Sequence, residues 1–270
     1  MRLSVILYLF CALAAVCAAS FVWAAAIRWW WLIPAFLVAF LLINGLYLLY
    51  VYVICRRVDM SQEYDDMDPF YHRNVNLFVD WLLAVCRVKP VLQGTEWLPE
   101  GRFLLVSNHR SAFDPLSALA AFRKRGVPLT FISKPENIYK LFVGSAAYRD
   151  GFLPIDRENA RNALKTINTA AQRMKDGTWS YCIYPEGTRT KDGNLQDFHP
   201  GSFKAAQKAH VPLVIMATDG SEQVKKNFPF RRTVVTLTIL ECIDGDAVKA
   251  HKTVELAEHT KSLLLEYLGH

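Results

Sequence analysis

Phe103-Leu104-Leu105-Val106-Ser107-Asn108-His109-Arg110-Ser111-Ala112-Phe113-Asp114-Pro115 is a short apolar run that breaks into a polar turn and restarts at an Asp-Pro pair. A run of that length bounded by turn residues reads as a buried strand, and residues 115–124 read as a helix. The strand-turn-helix pattern then repeats. Residues 129–133, 152–155, 179–184 and 212–217 read as strands, and residues 202–209 as a helix. Residues 159–175 also read as a helix, with Ala160, Ala163, Leu164, Ile167, Ala170 and Ala171 on one side. Residues 233–240 alternate around Val235, Leu237 and Ile239 as a strand, and residues 248–268 form a helical tail. This alternation predicts an α/β domain with a largely parallel, mixed sheet flanked by helices. Ligands of such sheets sit in the loops beyond the carboxyl ends of the strands.

Upstream, Val75, Phe78, Val79, Leu82, Leu83 and Cys86 recur at helical spacing, and the acidic residues 59–70 read as a linker. Before them, residues 3–27 are apolar except for Ser4 and Ser20, and residues 29–55 except for Asn44. Each run exceeds the roughly 20 residues that cross a hydrocarbon core as a helix. Arg28 and Trp29, Trp30 and Trp31 separate them, so residues 1–58 predict a transmembrane helical hairpin ahead of a catalytic-sized domain at 59–270. Arg2 at one end and Arg56 and Arg57 at the other place both ends on the cytoplasmic side. A cleaved signal peptide ending near Ala19 would leave one crossing and still put residues 56–270 inside; a hairpin that dips into one leaflet without spanning is a third reading.

Charge supports a membrane location over a polyanionic partner. Residues 1–58 hold four arginines and no acid, which leaves 27 basic against 25 acidic residues in the rest of the chain. A nucleic-acid binder carries its basic stripe on the domain itself, so no nucleic acid is expected. The hydrophobic content of 52% excludes disorder. The six cysteines form no C-x-x-C pair and read as buried thiols.

The loops after the strands hold the reactive side chains. His109 follows the first strand and Asp114 opens the next helix, so a carboxylate can fix the imidazole tautomer and leave the other nitrogen as a base. Asp114-Pro115 also fits a helix cap. Arg157 leaves the strand at 152–155, placed for a phosphate or for an ion pair with Asp156. Tyr184-Pro185-Glu186-Gly187-Thr188-Arg189 follows the strand at 179–184; Gly187 admits a close ligand, and Thr188 and Arg189 are donors. A second turn signal, Lys191-Asp192-Gly193-Asn194, follows.

Asn108-His109-x-Ser111-x-x-Asp114, Pro154-Ile155-Asp156-Arg157, Pro185-Glu186-Gly187-Thr188-Arg189 and Val211-Pro212-Leu213-Val214 resemble the four ordered blocks of the glycerolipid acyltransferase family, most closely its 1-acyl-glycerol-3-phosphate acyltransferase branch. Tyr184 stands where that family usually has Phe. The resemblance implies that His109 is the base and Asp114 its orienting partner. It implies that Arg157 and Arg189 hold the glycerol phosphate, with Lys134 a third candidate, and that Glu186, Gly187 and Thr188 shape the acceptor site. It further implies an acyl-CoA or acyl-carrier-protein donor, a lysophospholipid acceptor in the bilayer, no cofactor and no metal. A phosphate-ester hydrolase would need a nucleophile or metal cluster, and a lipid-binding scaffold would have no use for the His109/Asp114 pair.

Overall fold

Phe103 and Leu105 belong to one buried cluster and Leu104 and Val106 to another, and all four are completely buried. A strand apolar on both faces needs a layer of helices on each side, and the chain supplies both layers. The computed structural model describes residues 3–24, 31–139, 142–189 and 195–269. Two long helices come first, α1 (Leu3–Ala24) and α2 (Leu32–Arg56), followed by α3 (Pro69–Val85) and β1 (Val88–Gln93). Then come β2 (Leu104–Ser107), α4 (Phe113–Arg123), β3 (Leu129–Ser133), α5 (Pro135–Tyr139), α6 (Gly144–Arg149) and β4 (Leu153–Pro154). The second half runs α7 (Ala160–Lys175), β5 (Ser180–Ile183), α8 (Lys204–Ala209), β6 (Leu213–Asp219), α9 (Val224–Asn227), β7 (Thr233–Ile243), α10 (Gly245–Ala250) and α11 (Thr253–Leu268).

The seven strands form one sheet in the order β1-β7-β6-β2-β5-β3-β4. From β6 to β4 every pairing is parallel, β7 runs antiparallel to β6, and β1 is parallel to β7. The expected mixed α/β sheet is therefore present. One face is covered by α3 and α4 through Val79, Leu83, Ala118 and Phe122. The other is covered by α7, α8 and α11 through Ile167, Met174, Ala205 and Leu264.

Three elements differ from the sequence reading. Strand β1 was not anticipated because Pro90 interrupts it; it lies at the sheet edge, where a missing N–H is tolerated. The tail is two helices, since Asp244 caps α10 and the chain extends at His251 and Lys252 before α11. Residues 135–139 and 144–149, unassigned from sequence, fold as α5 and α6. The expected turn at 28–31 lies outside the described residues except for Trp31, as do Arg2 and the turn at 191–194.

Helix α2 is long and apolar enough to cross a membrane, and α1 packs beside it. Its C-terminal half is also part of the body. Val51, Ile54 and Cys55 are buried against Val75 of α3 and Ala146 of α6. Trp81 Nε1 donates to Asn44 Oδ1 at 2.9 Å, and Tyr71 OH donates to the Ile54 carbonyl at 3.3 Å, so α3 runs antiparallel to α2 from its end back to Asn44. Residues 32–43 lie beyond the last bond that ties α2 to α3. At 1.5 Å per residue they span about 18 Å, nearer one leaflet than the ~30 Å hydrocarbon core.

The acidic stretch read as a linker is a strap tied to the body. The Arg173 guanidinium, almost fully buried, donates to the Tyr64 carbonyl, to Asp65 Oδ1 at 3.2 Å and to Tyr181 OH at 3.2 Å. Arg149 pairs with Asp66 and Asp68, and Lys165 with Glu63. Asp68 also caps α3 by accepting from Phe70 N. Because a buried donor set costs more to break than an exposed pair, Arg173→Met should destabilise the fold by about 1–3 kcal/mol, whereas the exposed Lys165→Met should cost well under ~1 kcal/mol. Melting temperatures and protease sensitivity of residues 59–67 check this; equal effects from the two variants would show that Arg173 does not hold the strap.

Candidate active site

Strands β2, β5, β4 and β6 are parallel, so their carboxyl ends bring the loops at 108–112, 184–189, 155–157 and 220 onward to one rim. Beyond the last residue of β2, Asn108 extends the ladder with its side chain. Its Nδ2 donates to the Thr218 carbonyl at 2.9 Å, and Thr218 N donates to its Oδ1 at 2.8 Å. Ser107 Oγ lies 3.0 Å from Thr218 Oγ1. These buried bonds fasten the start of the loop to β6, so the next residue, His109, leaves the sheet from a fixed point.

Asp114 does not cap α4. The helix begins at Phe113, which puts Asp114 in its first turn with a fully buried side chain that reaches back over the loop. Its Oδ2 accepts from His109 Nδ1 at 2.8 Å and from the backbone N–H groups of Arg110 and Ser111, both at 2.7 Å. An acceptor on Nδ1 fixes the proton there and leaves Nε2 as the basic nitrogen. The imidazole also stacks on the Tyr184 ring, with centroids 4.2 Å apart and planes 12° from parallel. Tyr184 in turn lies 5.9 Å from Phe131. Its ring backs the imidazole as a flat wall, and burial drives its hydroxyl pKa well above the ordinary value.

Glu186 is buried, and its carboxylate faces protein. Oε1 accepts from His109 N at 2.7 Å and Oε2 from Gln196 N at 3.1 Å. The residue expected to shape the acceptor site thus acts by tying the β5 loop to the backbone of the catalytic loop. Gly187 adopts φ +70°, and a Cβ there would lie 1.5 Å from Arg157 Nη1. The guanidinium therefore lies directly on the Gly187 backbone. Arg157 Nη2 donates to the Tyr184 carbonyl at 3.2 Å. Burial lowers its pKa, and among the described residues no carboxylate pairs with it. The ion pair with Asp156 is absent; Asp156 instead accepts from Glu158 N. Thr188 and Arg189 are exposed.

A cavity of about 420 Å³ opens at His109, within the ~300–1,000 Å³ of small-ligand sites. Its walls are mainly apolar: Phe78 and Leu82 of α3, Leu116 of α4, Phe131 of β3, Phe142, and Val51 and Ile54 of the long helix α2. Arg189 lies at its rim. Of the expected site residues, the structure brings His109, Asp114, Glu186, Gly187, Arg157 and Arg189 together. Lys134 is exposed and does not line this cavity. The wall of α2, α3 and α6 was not assigned to the site from sequence. The clamp between two of those elements, His72 Nδ1 to Asp150 Oδ1 at 2.9 Å, was missed for the same reason: its partners are 78 residues apart.

The fold and the site together define a three-layer α/β domain with a His–Asp pair at the strand ends, opening onto an apolar cavity. Residues 89–218 match the family model Acyltransferase. Among curated relatives, a probable 1-acyl-sn-glycerol-3-phosphate acyltransferase of Mycoplasma pneumoniae is 36% identical over 152 residues, 56% of this chain and 55% of that protein. The human 1-acyl-sn-glycerol-3-phosphate acyltransferase alpha is 27% identical over 169 residues, 62% of this chain and 59% of that protein. The chain therefore spans somewhat over half the length of these relatives. The crystal structure of the 1-acyl-sn-glycerophosphate (LPA) acyltransferase PlsC from Thermotoga maritima superposes with a TM-score of 0.54 at 22% identity, covering 84% of this chain and 95% of that one. At that identity the likeness establishes the fold.

The contact between Gly187 and Arg157 has a measurable consequence. Gly187→Ala should destabilise through both the collision and the positive φ, the latter worth about 1–2 kcal/mol. Adding Arg157→Ala should restore the collision part, giving a non-additive double mutant. Thermal melts of the three variants test this; strict additivity would mean that the guanidinium does not rest on Gly187.

Proposed function

We propose that the protein transfers a fatty acyl group from an acyl thioester, acyl-CoA or acyl-carrier protein, to the sn-2 hydroxyl of 1-acyl-glycerol-3-phosphate and so forms phosphatidate. The observation that carries this reading is the His109–Asp114 pair at the mouth of an apolar cavity whose far wall is α2. His109 Nε2 takes the proton of the acceptor hydroxyl as its oxygen attacks the thioester carbon. The tetrahedral intermediate collapses, the C–S bond breaks, and the imidazolium returns its proton to the leaving thiolate. Asp114 keeps the proton on Nδ1 and offsets the imidazolium charge. The substrate hydroxyl occupies the place a serine holds in hydrolases, so a direct transfer without an acyl-enzyme is expected.

Arg157 supports phosphate recognition, because a partly desolvated guanidinium with no carboxylate partner among the described residues gains from a dianion. Arg189 at the cavity rim is the second donor. Lys134 is exposed and, like Arg157, is not among the residues that line the cavity; unlike Arg157 it has no place beside Gly187. Lysophosphatidate and phosphatidate both reside in the bilayer. A cavity walled by the membrane helix spares the cost of extracting an acyl chain, about 0.8 kcal/mol per CH₂. The short free length of α2 favours a hairpin embedded in one leaflet, with residues 59–269 on the cytoplasmic face.

A thioester-release assay on lysophosphatidate tests the reaction class. His109→Ala should lose at least ~10²-fold in rate with an unchanged melting temperature; near-normal transfer would end the mechanism. A phosphate-ester hydrolase would instead release inorganic phosphate without consuming thioester.

Arg157→Ala and Arg189→Ala should each weaken use of the phosphorylated acceptor by about one to two powers of ten, since a charge-assisted contact contributes roughly 1.5–3 kcal/mol. They should barely change kcat/KM for an acceptor lacking phosphate. Proportional losses on both acceptors would remove that arginine from the phosphate site.

A cysteine replacing Met60 should be labelled by an impermeant reagent only in opened cells. Labelling in intact cells would reverse the orientation.

A further inference from the structure

The segment Val224-Lys225-Lys226-Asn227-Phe228-Pro229-Phe230-Arg231-Arg232 takes no part in the chemistry above. It joins β6 to β7 and therefore lies at the same end of the sheet as His109. Phe228 is 47% exposed and Phe230 87% exposed. Lys225, Lys226, Arg231 and Arg232 are all exposed, and among the described residues none of the four forms an ion pair. No acidic residue occurs from 223 to 235. A large aromatic left almost entirely in water and bracketed by cations is costly for a soluble surface, but it suits an interface that is apolar below and anionic above.

The loop's position in the fold indicates what that interface is. Val224 is buried in the same cluster as Val79 and Leu83 of α3, and Thr233 N donates to the Arg87 carbonyl at 3.0 Å, just past the end of α3. The loop is thus tied to the C-terminal end of α3. That end is level with Asn44 and Tyr47 of α2, because Trp81 bonds Asn44 and packs 5.6 Å from the Tyr47 ring. Residues 32–43 of α2, beyond that bond, are long enough for one leaflet, which sets the lipid surface near this level. Arg87 and Lys89, both exposed, extend the cationic surface beside the loop.

We propose that the 225–232 loop is a second membrane contact, in which Phe228 and Phe230 enter the headgroup–acyl boundary and the flanking cations hold anionic phospholipid. The loop and the hairpin then grip the bilayer on two sides of α3 and fix the tilt of the cavity mouth toward it. An acidic carrier protein would also suit the four cations. The bilayer is favoured because the aromatic tip sits on a convex loop, level with the apolar anchor. The proposal rests on α2 lying in lipid, and the test carries its own control for that.

The photo-crosslinker p-benzoylphenylalanine is placed at Phe230, at Leu42 of α2, or at Val254 of α11, in the full-length protein reconstituted in nanodiscs. The discs contain phosphatidylcholine alone or equal parts phosphatidylcholine and phosphatidylglycerol. Leu42 should give phospholipid adducts in both discs and Val254 in neither. Phe230 should give them at several times the Val254 background, more strongly with phosphatidylglycerol. In a Lys225→Glu/Lys226→Glu/Arg231→Glu/Arg232→Glu background with an unchanged melting temperature, that phosphatidylglycerol gain should vanish. Lipid at Leu42 with none at Phe230 overturns the proposal. No lipid at Leu42 overturns the membrane reading of α2 and with it this loop's role. An undiminished phosphatidylglycerol gain in the quadruple variant removes the charge-based part.

Discussion

One buried carboxylate oxygen organises the catalytic loop. Asp114 Oδ2 takes N–H bonds from His109 Nδ1, Arg110 and Ser111 at 2.7–2.8 Å. Two of those bonds fix the backbone of the turn and the third fixes the imidazole, so the loop's shape and the base's tautomer come from the same atom. A fully buried carboxylate pays a large desolvation cost, and only several well-aligned donors offset it. The chain obtains them locally, from residues three to five positions earlier, which is why Asp114 must sit in the first turn of α4 and not at its cap.

A second buried carboxylate extends this order to the neighbouring loop. Glu186 bonds His109 N on one oxygen and Gln196 N on the other, so the β2 and β5 loops cannot shift independently. Asn108 does the same toward β6 through Thr218. His109 is therefore held by ties to two neighbouring strands as well as by its own turn, and an imidazole placed this way needs little reorganisation at the moment of reaction. Arg157 is the exception in this rim. It is partly desolvated, rests on Gly187, and among the described residues has a carbonyl but no anion. Its Nη1 is buried without a hydrogen-bond partner among the described residues.

Much of this was legible in the sequence because its signals are local. The strand at 103–107, the His109-to-Asp114 spacing and the amphipathic helix at 159–175 each lie within one short window, and each appears in the fold with its bounds moved by a residue or two. What was missed depends on distant partners. Pro90 hides β1, whose place follows only from pairing with Thr233 to Thr238 at the far end of the chain. Glu186 reads as a residue that shapes the acceptor site, and nothing near it in sequence announces its bond to the His109 N–H, 77 residues away. The acidic residues 59–70 have linker composition, and nothing near them in sequence announces that Arg173 and Arg149 will tie them down. The apolar wall of the cavity was invisible for a related reason: each of its residues reads as ordinary helix core or membrane anchor until α2, α3 and α6 are assembled.

That wall changes the role of the anchor. A tether would need only length and hydrophobicity, and any apolar helix could replace it. Here Val51 and Ile54 are buried against α3 and α6 and also line the cavity that opens at His109. Substitutions in the last turns of α2 therefore act on the cavity as packing changes do in a core, while those at the exposed Leu41 and Leu42 act on lipid contact alone. The apolar exposed surface and the cavity wall are thus carried by opposite ends of one helix. The boundary between them is Asn44, a polar residue in an otherwise apolar run, whose Oδ1 accepts from Trp81. A buried polar group is costly without a partner; the Trp81 indole N–H supplies one, where α2 packs against α3 and becomes part of the domain.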